Sequence, residues 1–162
     1  MLWVKTFFGI LFQTALLAIF LYLPALRLNW PDALLFLAIH FLITILASAY
    51  LLIVKPASIE ARMNYDSETQ PKEDRLATVL MLSAIVVGLS LAPIDIFHLN
   101  LSFSFEGNIK NIGLGIYIIG MLFVMASMNA NEFAETTVNI QEERGQKVID
   151  TGIYYIGCLT TE

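Results

Sequence analysis

Residues 33–54 read ALLFLAIHFLITILASAYLLIV, 22 positions with a single ionisable group, His40. At about 1.5 Å per residue a helix of this length covers the roughly 30 Å of a bilayer's hydrocarbon core. Inside lipid a single segment satisfies its own backbone hydrogen bonds only as a helix. Three more uncharged runs share the character: residues 6–26, 76–94 and 111–130, of 21, 19 and 20 positions. With 57 % hydrophobic residues, 14 % charged residues and a mean hydropathy of +0.72, the chain is too apolar for a soluble globule. The expected fold is an all-α integral membrane domain over residues 1–162, with about four transmembrane helices followed by a short interfacial tail at 131–162. The net charge of −5 identifies no partner, because the acids lie in loops and tail. No basic, aromatic-interleaved patch points to nucleic acid, so the bilayer is the expected environment.

The first run, bracketed by Lys5 and Arg27, is too long for a signal-peptide core, and no small-residue cleavage site follows it; it reads as a retained anchor. Its polar residues Gln13 and Thr14 are expected to bond to neighbouring helices. Trp30 suits the headgroup level, and Pro31 suits the first turn of the next helix. His40 has no second His, Cys or carboxylate within the uncharged runs, so it reads as a neutral histidine bonded to a neighbouring helix. The lack of any carboxylate in the runs also argues against a proton-coupled exporter.

Between the spans the signals are weaker. Residues 55–75 form the one long hydrophilic loop, read chiefly as a solvated connector, with a short interfacial helix through Ala57, Ile59 and Met63 to near Asn64 as the alternative. Pro93 can end or kink the third span. Asp95 and His98 are two ligands without a third, hence a surface loop rather than a metal site. Leu99, Leu101, Phe103 and Phe105 alternate with polar residues, as in an extended segment at the interface. Gly113, Gly120 and Ser127 recur every seven residues, a face expected to pack internally or to carry a helix–helix oligomer. Cys158, the only cysteine, leaves no intramolecular disulfide or thiolate metal site, and it stands fifth from the end, where a prenylation box needs the fourth position.

If the spans alternate, one side receives Lys5, Lys55, Arg62, Lys72, Arg75, Arg144 and Lys147, and the other only Arg27 and Lys110. That excess of basic residues puts both termini in the cytoplasm. The tail then shares a compartment with the long loop. It carries Glu132, Glu135, Glu142, Glu143 and Asp150 beside Gln141, Arg144 and Lys147. Alternation around Val138 and Ile140, a turn at Arg144-Gly145 and an apolar resumption at Val148-Ile149 read as a small hairpin on the bilayer.

The run Asn129-x-Asn131-x-Phe133, then Thr137-Val138-x-Ile140-Gln141-x-x-Arg144-Gly145-x-x-Val148-x-x-x-Gly152-x-Tyr154, resembles the stretch preceding the cofactor site in the isoprenylcysteine carboxyl methyltransferase family, relatives of the membrane phospholipid methyltransferases. Glu60-x-Arg62-Met63, Asp74-Arg75 and the multispan layout are also similar, so the resemblance covers residues 1 to about 156. It implies methyl transfer from S-adenosylmethionine to a membrane-borne acceptor, either a prenylcysteine carboxylate or a lipid-like amphiphile. It also implies that Gln141, Arg144 and Gly145 line the approach to the cofactor, with Asn131 nearby; no catalytic residue and no metal is assigned. No Gly-rich loop follows a strand, which excludes a soluble Rossmann-type methyltransferase.

The chain departs from the family in two places. Ile153 stands where the family has Pro, and the Arg-His-Pro segment and hydrophobic hairpin that complete the family's cofactor pocket are absent from these residues. The resemblance therefore implies a C-terminally truncated form with weak or no S-adenosylmethionine binding. The competing expectation is a non-catalytic membrane interaction module or subunit.

Overall fold

A computed structural model of the chain describes residues 1–63, 72–101 and 108–130, and among these it is all helical with no strand. The elements are α1 (Leu2–Ala25), α2 (Pro31–Val54), α3 (Pro56–Met63), α4 (Lys72–Ile94), a π-helical turn (Asp95–Leu99) and α5 (Asn108–Ala130). Four helical stretches, Leu2–Ala25, Pro31–Val54, Arg75–Leu99 and Asn108–Ala130, are long and apolar enough to cross a membrane. The fold is that of a multi-pass membrane protein, as the four uncharged runs predict.

The central pair is α1 and α2, with α4 packed on α1 and α5 on α2. On α1 the buried residues Thr6, Ile10, Leu21 and Ala25 follow helical spacing and make one stripe. Near the α1–α2 turn, Leu21, Ala33 and Leu37 form a buried cluster lined by Leu17, Ala18, Tyr22, Trp30 and Phe36. The outer helices bury far less, and Ile116, Ile119, Leu122, Phe123 and Val124 of α5 all face outward. In water such a surface would be untenable, whereas against lipid tails it costs nothing.

The two ends of the bundle differ in chemistry. At the loop end, Leu26 closes α1 in the left-handed region at φ 51°, its N–H reaching the Tyr22 carbonyl at 3.1 Å. Pro31 opens α2, where a missing N–H leaves nothing unpaired, as its place in the sequence predicts. Trp30 lies edge-on to both Tyr22 and Phe97, and the Arg27 guanidinium sits 5.3 Å from the Phe97 ring centre. At the opposite end, Leu51, Leu52 and Ile59 form a second buried cluster joined by Leu2 and Met128. Since Leu2 starts α1 and Met128 stands in the last turn of α5, the spans alternate in direction.

Four expectations need correction. The solvated connector after Lys55 begins instead as α3, which buries Ser58 and Ile59 against the end of α2, because Ile59 lies on the face turned toward Leu51 and Leu52. The surface loop at Asp95 and His98 is a π turn: the Asn100 N–H bonds the Asp95 carbonyl at 2.7 Å, the i→i+5 spacing. Pro93, fully buried and without an N–H, breaks the α ladder just before it. Thr14 turns its hydroxyl back onto the Ile10 carbonyl at 2.8 Å, and Gln13 is exposed, so neither follows the expectation of an interhelical bond. Finally, Gly113 and Gly120 do not pack internally, for nothing lies within 4 Å of where a Cβ would stand on either.

Candidate functional site

The tail residues that the family resemblance points to, Asn131, Gln141, Arg144 and Gly145, lie outside the described residues, as do the tail hairpin, Cys158 and the alternating segment beyond Leu101. What is described is the platform from which that tail departs. Asn129, the first residue of the run that carries the resemblance, stands in the last turn of α5 beside Met128, which packs on the Leu51, Leu52 and Ile59 cluster. The run therefore leaves the bundle at the end where α3 and the start of α1 gather.

That end holds polar atoms in unusual states. Ser58 is fully buried, and its Oγ has no hydrogen-bond partner among the described residues; the Asn129 Oδ1 is likewise buried and unpartnered. A buried polar atom left unpaired costs on the order of 1–3 kcal/mol. Thr6 by contrast donates its hydroxyl to the Leu2 carbonyl at 3.0 Å, with the Met63 sulfur 3.7 Å away as a weaker acceptor.

Deeper in the bundle, His40 on α2 meets Tyr117 on α5 through a short hydrogen bond between Nδ1 and the phenolic oxygen. This is the interhelical bond that a lone histidine in a span predicts. Phe36, one turn before His40, stacks on its ring at 6.4 Å and packs on Tyr117 at 4.8 Å between ring centres. The Thr44 hydroxyl is occupied by the His40 carbonyl at 2.8 Å. In a neutral imidazole one nitrogen donates and the other accepts. Whichever way the Tyr117 bond runs, the buried Nε2 keeps an unused hydrogen-bonding capacity among the described residues. No carboxylate bonds to the pair among the described residues, and the bond ties α2 to α5.

Tyr117 and Ser58 were not singled out by the sequence. A usable signal existed for Tyr117: His40 is nine residues after Pro31 (40 − 31) and Tyr117 nine residues after Asn108 (117 − 108), so the two sit at matched depth from the loop end. At that loop end, His98 donates from Nε2 to the Pro24 carbonyl at 2.9 Å, and Asp95 accepts the Leu101 N–H at 2.8 Å. Both side chains thus cap backbone, and no cluster of three His, Cys, Asp or Glu exists among the described residues. Lys110 and Asp32 form an ion pair of 2.7 Å with both side chains more than half exposed. Comparison of the chain with family models, curated proteins and solved structures gives no match.

Proposed function

We propose that this chain is an isoprenylcysteine carboxyl methyltransferase-like membrane protein, built for methyl transfer from S-adenosylmethionine to a membrane-borne acceptor, a prenylcysteine carboxylate or a lipid-like amphiphile. The observation that carries the reading is the spaced run from Asn129 to Tyr154, which starts in the last turn of α5. The excess of basic residues at that end supports a cytoplasmic location for it, where a soluble cofactor can meet the head of an acceptor whose apolar tail stays in lipid.

The donor set suits the cofactor. The Arg144 guanidinium is matched to a carboxylate in a two-bond fork, and the Gln141 amide offers both donor and acceptor to ribose hydroxyls. S-adenosylmethionine, when bound, supplies a methyl group already activated on a sulfonium. The protein's share is then to hold the acceptor in line, keep it unprotonated and exclude water. Gly145, next to Arg144 in sequence, would allow close approach of backbone to ligand, and the resemblance implies the Asn131 amide nearby.

The Arg-His-Pro segment that the resemblance would pair with the cofactor is not among these 162 residues, so the chain alone is expected to bind weakly. Titration of S-adenosylmethionine into the purified, detergent-solubilised protein tests this. The expected result is a millimolar-range isotherm that Arg144→Ala abolishes. Saturable micromolar binding would overturn the half-site description, and binding indifferent to Arg144 would overturn the placement of the cofactor.

A second reading is favoured by one observation, the open space in front of Gly113 and Gly120 on the outward-facing α5. Small residues on an unpartnered helix let another helix approach closely, as in a non-catalytic interaction module or subunit. Crosslinking in native membranes discriminates: a stable partner lost in Gly120→Leu, without methyl transfer, supports this reading over the first.

A further inference from the structure

Three residues of α5 touch α2 or its extension at three heights: Lys110 through Asp32, Tyr117 through His40, and Met128 through the Leu51, Leu52 and Ile59 cluster. At 100° per residue, Lys110 and Met128, 18 residues apart (128 − 110), share one angle about 20° from Tyr117, so all three fall on one face. The three contacts are unequal. The Lys110 ion pair is exposed and weak as a restraint. Met128 is flexible and adapts to many packings. Only the Tyr117 contact is directional and sheltered from competing water.

We propose that the His40–Tyr117 hydrogen bond is the pin that fixes the rotation of α5 about its axis, and with it the direction in which the chain beyond Ala130 leaves the bundle. His40 and Tyr117 are then positioning residues for the Asn129–Tyr154 run, a role that rests on the methyltransferase reading only in its last step. The mechanism is rigid rotation, in which the angle set at Tyr117 is carried unchanged along the helix. Asn129 lies twelve residues beyond Tyr117 (129 − 117), about 18 Å along the helix. A turn of α5 by one residue's angle would turn Asn129 by the same angle and replace Met128 at the Leu51 cluster by a neighbour. Apolar packing alone resists this poorly, because the flanks of α5 carry apolar residues of similar bulk, such as Ile116, Leu122 and Val124, and lipid solvates them all alike.

The test uses the full chain in membranes with Cys158→Ser, which removes the only cysteine, and the pair Leu52→Cys/Met128→Cys as a reporter of α5 rotation. His40→Ala and Tyr117→Phe are each expected to slow disulfide formation by about three- to fifteen-fold, the range for one interhelical bond in lipid. The two substitutions together should slow it no further than either alone. His40→Asn, whose amide reaches the position of Nδ1, should restore the rate, while His40→Leu, similar in bulk, should not. Unchanged crosslinking in both single variants would overturn the pin, as would failure of His40→Asn in protein of unchanged helicity. The S-adenosylmethionine titration separates the two claims: rotation that responds to His40, with no Arg144-dependent cofactor binding in the unsubstituted chain, keeps the pin and removes the methyltransferase reading.

Discussion

Ser58 and Ile59 are neighbours on α3, both buried, yet replacing each by alanine should move the helix in opposite directions. Ile59 is 6 % exposed against Leu51 and Leu52, and its truncation removes three carbons. At about 0.8 kcal/mol per buried CH₂ the loss is at most about 2.4 kcal/mol, or roughly fifty-fold in the equilibrium for α3 lifting off the bundle. Contact with lipid in the lifted state lowers that ceiling. Ser58 is fully buried with no partner for its hydroxyl among the described residues, so Ser58→Ala removes an unpaired polar group and should tighten α3 by about 1 kcal/mol, roughly five-fold. Hydrogen–deuterium exchange of the Pro56–Met63 amides, in protein reconstituted into nanodiscs, reads both effects as opposite changes in protection. If Ser58→Ala loosens α3 as Ile59→Ala does, the hydroxyl is satisfied and the argument from unpaired polarity fails.

Three further outcomes are expected. Asp32→Asn should lower stability by less than about 0.5 kcal/mol and only at low salt, because the Lys110 pair is open to solvent; denaturant unfolding at two ionic strengths checks this. Pro93→Ala restores a donor for the Leu89 carbonyl and should draw the Asp95–Leu99 turn back into α register, rotating Phe97 off the Trp30 ring; with Trp3→Phe as background, a red shift of the remaining indole emission reports it. In a Cys158→Ser chain, Leu28→Cys should react with an impermeant maleimide in intact cells and Ala57→Cys only after permeabilisation, and the reverse pattern would invert the proposed orientation.

The four spans were legible because lipid leaves a helix no alternative, and runs of 19 to 22 uncharged residues need no finer signal. Pro31 was legible for a similar reason, since helix starts tolerate a missing N–H and interiors do not. The π turn was not, because Asp95, His98 and Asn100 are loop-forming by type, and only the register break at Pro93 shows why the chain keeps coiling. Alternation from Leu99 to Phe105 predicts an extended segment, but its described start is not extended: Leu99 closes the π turn and Asn100 is left-handed at φ 50°. The outward turn of Gly113 and Gly120 was hidden too: small residues mark a face fit for close approach, but nothing in their spacing says whether the approaching helix belongs to the same chain. His40 was recognised as a polar contact, while its partner 77 residues away carried no local mark beyond its depth.

The two ends of the bundle divide the work of the fold. At the loop end the polar side chains meet partners: Asp32 with Lys110, His98 with the Pro24 carbonyl, Asp95 with the Leu101 N–H, and Tyr22 with the Trp30 carbonyl at 3.2 Å. At the other end, packing is by Leu51, Leu52, Ile59, Leu2 and Met128, and two buried polar atoms go unpaired among the described residues. Folds that satisfy every polar group in one region and not in another place the deficit where a function has use for it. Here the deficit lies on Ser58 and on Asn129, the first residue of the run that resembles a methyltransferase. With its polar contacts gathered at the loop end, the bundle carries its two unpaired buried atoms at the end from which the residues beyond Ala130 continue.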